Sequence, residues 1–162
     1  MLKLYNLLIY LLLPLIIINL FLRIFNNKED KHRYSERFGK TKINFDLSKK
    51  TIWLHAASIG EFKSCDLIIS EYYKNYNILV TTTTKSSAEY INKFYSDKVI
   101  HQYIPFDIPL WCSRFINYWN PDLVLWIESD IWPNMIKKIN EKKINSFYVN
   151  ARVSPKSYNK WK

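Results

Sequence analysis

Apolar positions along the chain fall into one long block followed by short, spaced runs. From Leu2 to Phe25 the sequence reads LKLYNLLIYLLLPLIIINLFLRIF, with Lys3 and Arg23 near its ends. A helix of about 20 apolar residues crosses a hydrocarbon core, so the block predicts a transmembrane anchor over 1–25. Pro14 lies inside it, which membrane helices tolerate when neighbours satisfy the freed carbonyl. A cleaved signal peptide predicts a shorter apolar region followed by a small-residue cleavage site. Phe25-Asn26-Asn27-Lys28 follows instead, so a retained helix is expected.

Beyond a basic segment at 26–50, the runs Thr51–Ala56, Asn77–Thr82, Val99–Ile104, Leu123–Ile127 and Ser146–Val149 are short and nearly continuous. That pattern suits parallel strands covered on both faces. The intervals 60–75, 86–95, 109–119 and 131–142 are each long enough for a crossover helix. Ser58-x-x-Glu61 and Ser86-x-x-Glu89 match the capping box. Asp107 precedes Pro109, and Ser154 precedes Pro155, as at a first helical turn. Strands alternating with helices predict an α/β fold, a doubly wound parallel sheet with right-handed crossovers over 51–162.

Charge changes the picture at the membrane. Twenty-four Lys and Arg against 14 Asp and Glu leave a net charge of +10. Arg23, Lys28, Lys31, Arg33, Arg37, Lys40 and Lys42 crowd the downstream flank, while Lys3 and the amino terminus precede the block. The positive-inside rule then places the bulk of the chain in the cytoplasm, with the basic segment able to lie against anionic headgroups. This placement, and the lack of a nucleic-acid motif, argue against a nucleic-acid partner. Two cysteines exclude a disulfide scaffold, and two glycines exclude a glycine-rich phosphate loop. His32, His55 and His101 share no metal-ligand spacing, so no metal is expected.

In wound sheets ligands bind at the carboxyl ends of strands. That edge carries Trp53-Leu-His-Ala-Ala-Ser-Ile-Gly-Glu61, where a glycine permits a tight turn and a carboxylate opens the next helix. Glu61 either forms a reciprocal cap with Ser58 or serves as a general base. Glu128 and Asp130 follow a strand in Trp126-Ile-Glu-Ser-Asp-Ile-Trp-Pro-Asn134. Ser129 or Asp130 suits a helix cap, whereas Glu128 has no capping role. Thr81-Thr-Thr-Thr-Lys-Ser-Ser87 gathers hydroxyls, backbone N–H groups and the Lys85 ammonium at a helix start, which suits an anion or simple capping. A His55–Ser58 nucleophile dyad lacks the surrounding elbow motif.

Taken in order, Arg33-Tyr-Ser-Glu-Arg-Phe-Gly39, Trp53–Glu61, Thr81–Thr84, Pro105-Phe-Asp107, Glu128–Asn134 and Asn150-Ala-Arg-Val-Ser154 closely resemble the amino-terminal half of a known family. It is the 3-deoxy-D-manno-octulosonic acid (Kdo) transferase family of lipopolysaccharide synthesis. The resemblance implies the Rossmann-like amino-terminal domain of a glycosyltransferase-B fold. It implies transfer of Kdo from CMP-Kdo to lipid IVA, the lipid A precursor, at the cytoplasmic face of the inner membrane, with no metal or other cofactor. Glu61 matches the family's catalytic base and Glu128 its second essential acid. Ser58, Gly60, Lys85 and Arg152 correspond to substrate contacts. The family's donor domain would follow position 162, so the chain is expected to bind acceptor and to be inactive unless a donor half is supplied. A non-catalytic, membrane-anchored interaction module or decayed remnant is the alternative.

Overall fold

The computed structural model describes residues 1–127 and 131–149. Expectations resting on Glu128, Ser129, Asp130, Arg152, the Asn150–Ser154 motif and the Ser154-Pro155 helix start lie outside the described residues.

Five strands form where the apolar runs predict them: β1 (Thr51–His55), β2 (Asn77–Thr82), β3 (Ile100–Tyr103), β4 (Leu123–Ile127) and β5 (Asn145–Val149). They pair in parallel in the order β3-β2-β1-β4-β5. Parallel pairing needs crossovers, and alternating side chains need cover on both faces. On one face Ile52, Leu54, Ile78 and Val80 meet Phe62, Ile69 and Ile91 from α2 (Ile59–Lys63), α3 (Asp66–Tyr72) and α4 (Lys85–Phe94). On the other, Trp53, Leu79 and Val124 meet Phe115, Trp119, Met135 and Ile139 from α5 (Pro109–Trp119) and α6 (Pro133–Glu141). Trp53, Trp119 and Trp126 are fully buried there. Each removes on the order of 200 Å² from water, roughly 5 kcal/mol before conformational entropy is set against it.

Several local expectations shift. The single helix expected over 60–75 is two helices. Ser64 Oγ donates to the Glu61 carbonyl at 2.6 Å, and the Ser64 and Cys65 N–H groups bond three residues back, to Glu61 and Phe62. The last turn tightens and the i→i−4 ladder stops. Ser86 does not start α4. Thr84 does, its hydroxyl accepting from the Ser87 N–H at 3.2 Å, while Glu89 reaches Lys85 at 3.8 Å instead. Asp107 does not cap α5 either; Ile108 takes the cap position without a side-chain bond.

Ahead of the sheet, α1 (Leu2–Phe25) has the length and apolarity to cross a membrane. A 3-10 helix (Tyr34–Phe38) follows, ending at Gly39 in the left-handed region with φ 68°. There glycine is required twice over. The φ disfavours a side chain, and a Cβ would run into the Trp111 carbonyl oxygen at the start of α5. The 3-10 helix is pinned to the sheet, since Glu36 Oε2 accepts from the Tyr103 N–H of β3 at 2.8 Å.

Candidate active site at the strand switch point

β1 lies between β2 and β4, with His55 opposite Thr81 on one side and Trp126 on the other. From β1 the chain passes to α2 on one face, and from β4 to α6 on the opposite face. The strand order thus reverses between β1 and β4, the usual ligand position in such sheets.

Glu61 sits at this point, in the first turn of α2. Ser58 is the N-cap and its hydroxyl accepts from the Glu61 N–H at 3.3 Å. The carboxylate folds back, Oε2 accepting from the Ala57 N–H at 2.7 Å and Oε1 from the Ser58 hydroxyl at 3.0 Å. The reciprocal cap thus exists, and it also fixes the carboxylate's direction. Glu61 is half-buried, and each oxygen keeps a lone pair beyond these bonds. Gly60 is exposed and helical, with no positive φ. A Cβ on it would meet only Ser58 Oγ at 3.8 Å, so the turn does not demand glycine, contrary to the sequence expectation. What Gly60 supplies is open space one residue before the carboxylate.

The His55–Ser58 dyad does not form. His55 is buried, its Nδ1 2.9 Å from Thr81 Oγ1, and Ser58 is committed to Glu61. The four threonines are likewise engaged. Thr81 also accepts from Trp53 Nε1, Thr82 meets His101 Nε2, Thr83 donates to the Ala57 carbonyl, and Thr84 caps α4. Lys85 reaches back across the edge to the Asn27 carbonyl at 3.3 Å. Glu128, expected beside Glu61, follows β4 but lies outside the described residues, as does Arg152.

Between the sheet edge and α1 is a cavity of about 650 Å³. Ile9, Leu12 and Ile16 line its α1 side, while Arg37, Thr83 and Trp132 line the sheet side. Trp132 Nε1 is buried without an acceptor among the described residues.

Two groups that hold this edge together do so in roles the sequence did not assign them. Arg37, expected among headgroup-facing cations, is 4% exposed. Its guanidinium pairs with Glu29 at 2.8 Å and donates to the Thr83 and Ile104 carbonyls at 2.7 and 3.1 Å. Arg33 is drawn inward too, onto Glu36 and the His101 carbonyl. Asp107 accepts from the Asn134 and Met135 N–H groups, both at 2.9 Å, capping α6 from another element. Asn134 Nδ2 returns a bond to the Asp107 carbonyl at 2.6 Å. Acidic residues set inside a basic stretch, such as Glu29 and Glu36, are the signal that could have flagged the inward arginines.

This edge can hold a carboxylate base beside an open approach, with an apolar-walled cavity nearby. The sequence model of the 3-Deoxy-D-manno-octulosonic-acid transferase (kdotransferase) family matches residues 32–162. Curated relatives include the 3-deoxy-D-manno-octulosonic acid transferase of Rickettsia bellii, 39% identical across all of this chain and 39% of its own length. The probable mitochondrial enzyme of Arabidopsis thaliana is 35% identical over 98% of this chain and 36% of its own. The Haemophilus influenzae transferase is 29% identical over 97% of this chain and 38% of its own. The chain therefore spans about two fifths of the length of these relatives, matching their amino-terminal part. By this match and the wound sheet that carries its motifs, the chain belongs to the 3-deoxy-D-manno-octulosonic acid transferase family.

Proposed function

We propose that these residues form the acceptor-binding half of a transferase that moves Kdo from CMP-Kdo to lipid IVA at the cytoplasmic face of the inner membrane. The observation that carries the reading is Glu61, a carboxylate aimed by Ala57 and Ser58 at the strand switch point, with Gly60 leaving its approach open. Family membership supports the reaction class. The apolar helix α1 and the cavity beneath it suit an acylated sugar, and α1 serves as the membrane attachment.

In this reading Glu61 takes the proton from an acceptor sugar hydroxyl as that oxygen attacks the anomeric carbon of Kdo. The new carbon–oxygen bond forms while the bond to the CMP phosphate breaks. The electron pair leaves on the phosphate, so no strong acid is needed. Glu128 is the second acidic group of the reaction. Ser58 positions the base, Gly60 leaves room for the acceptor, and Lys85 and Arg152 contact substrate. The donor is bound by the family's carboxyl-terminal half, because reaction requires both centres held within about 3–3.5 Å.

The test is Glu61→Gln in an enzyme assembled from this chain and the carboxyl-terminal half of the Rickettsia bellii relative, given CMP-Kdo and lipid IVA. Transfer should fall by at least about 100-fold, the scale of a lost general base, with the circular dichroism spectrum unchanged. Persisting transfer removes Glu61 as the base. An unmutated assembly that neither transfers Kdo nor retains lipid IVA favours a non-catalytic membrane module.

A further inference from the structure

The outer face of α1 has the character of a membrane-docking surface, and its two ends say how it docks. Near its start, Tyr5 donates its hydroxyl to Asp107 at 2.9 Å, and Asn6 Oδ1 accepts from Asn134 Nδ2 at 2.8 Å. Near its finish, Arg23 Nε donates to Glu29 at 3.2 Å, and Phe21 packs against Tyr34 with ring centroids 6.4 Å apart. Asp107 and Asn134 belong to the sheet unit and Tyr34 to its 3-10 helix, while Glu29, in the linker between, is held by Arg37 of that helix. Tyr5 and Arg23 are 18 positions apart, about 27 Å of helix at ~1.5 Å per residue, nearly a full hydrocarbon thickness. A helix crossing the bilayer cannot keep both ends on one cytoplasmic unit.

The sequence of α1 agrees with that constraint. Tyr5 and Arg23, 18 positions apart, fall on the helix side turned to the sheet, with Asn6 beside Tyr5. Large apolar side chains dominate the uncovered side: Leu4, Leu8, Leu11, Ile18 and Leu22 recur along it, each 49 to 74% exposed. Exposed lysines flank both ends, Lys3 at one and Lys28 and Lys31 at the other, where anionic headgroups would meet them at one depth.

We propose that α1 lies flat in the cytoplasmic leaflet, its leucine-rich uncovered side among the acyl chains and both of its ends on the cytoplasmic side. This rests on the membrane attachment given under Proposed function and decides its geometry. The cavity then opens directly beneath the leaflet, bounded by a helix that a lipid acceptor would already touch.

The experiment places single thiols in the full chain at Lys3→Cys and, as a marker of the sheet side, Lys40→Cys. Cys65 and Cys112 are fully buried and stay silent to an impermeant maleimide. Inside-out inner-membrane vesicles and spheroplasts are labelled in parallel. A flat helix gives labelling of both variants in inside-out vesicles and its loss for both in spheroplasts. Labelling of Lys3→Cys from the spheroplast exterior, with Lys40→Cys protected, overturns the flat geometry and leaves attachment intact. Recovery of the protein in the soluble fraction after sedimentation overturns attachment itself.

Discussion

The faces of the sheet and its carboxyl edge are built from different materials. Each face is an apolar layer, with Ile52, Leu54, Ile78 and Val80 on one side and Trp53, Leu79 and Val124 on the other. The edge is polar and just as buried: Glu29, Arg37, His101, Gln102, Asp107 and Asn134 all lie below a tenth exposed. Apolar layers tolerate exchange of similar volumes, because dispersion and burial have no direction. Buried ions and amides do not, since each must meet a partner of the right sign and angle. The difference teaches a division of labour. The faces make the sheet, and the edge fixes where α1, the 3-10 helix and the start of α6 sit around the site.

Removing the ion pair at the centre of the edge is the strongest way to break that comparison. Arg37→Ala leaves Glu29 buried with Arg23 alone, and strips donors from the Thr83 and Ile104 carbonyls. Loss of one partner of a buried pair costs about 3–5 kcal/mol. On the neighbouring face, Ile52→Val should cost about 0.5–1.5 kcal/mol. Chemical denaturation of the two variants measures both. Equal costs would mean that the edge is no more demanding than the faces.

The same division explains what could be read from sequence. Strand positions were legible because fully buried parallel strands leave continuous apolar runs, and observed ends fall within a residue of the runs. Helix starts were half legible. Ser58 caps α2 as its pattern implied, but Thr84 displaces Ser86, and Asp107 serves α6 rather than the helix two residues ahead. Local spacing records bonds within one element and is blind to a cap delivered across 27 positions of chain. Arg37 was misplaced for the same reason. A basic stretch reads as a solvated or headgroup-facing surface until the fold brings Glu29 and two carbonyls around one of its cations. At the site, Glu61 was legible twice, by cap spacing and by family motif. The position of Gly60 was legible, but its reason was not.

A second way to sharpen the comparison uses acid. Arg33 can only donate, so its contact with His101 Nδ1 at 3.0 Å makes that nitrogen an acceptor, and Nε2–H donates to Thr82. Burial, with the Arg33 and Arg37 guanidiniums adding to it, pushes the imidazole down to about 3 from 6.5. Between those values the unfolded chain binds a proton that the folded chain refuses. Stability from this group is complete above about pH 6.5 and is lost as pH falls toward 3, at about 1.4 kcal/mol per unit. His101→Gln should lack that slope, so the stability difference between parent and variant should shrink as pH falls from 7 to 5. Urea titrations at pH 7, 6 and 5 measure it. A parallel pair of stability–pH curves would show that the imidazole is not held neutral by the edge.

The smallest effect is expected where the edge opens to solvent. Ser58 is exposed, and its hydroxyl both caps α2 and holds Glu61 Oε1. Ser58→Ala should cost about 1 kcal/mol of stability, the usual value of an N-cap, far less than Arg37→Ala. Its consequence for transfer should be out of proportion to that cost. Without the hydroxyl, Glu61 keeps the Ala57 N–H on one oxygen but can swing about it, and in the role proposed for it the carboxylate would then lose rate even in a folded protein. Ser58→Thr, which restores the hydroxyl, should recover both. Measuring the denaturation midpoint of each variant, and Kdo transfer by each in the two-part assembly, separates the roles: stability and rate falling together in simple proportion would make Ser58 a cap and nothing more.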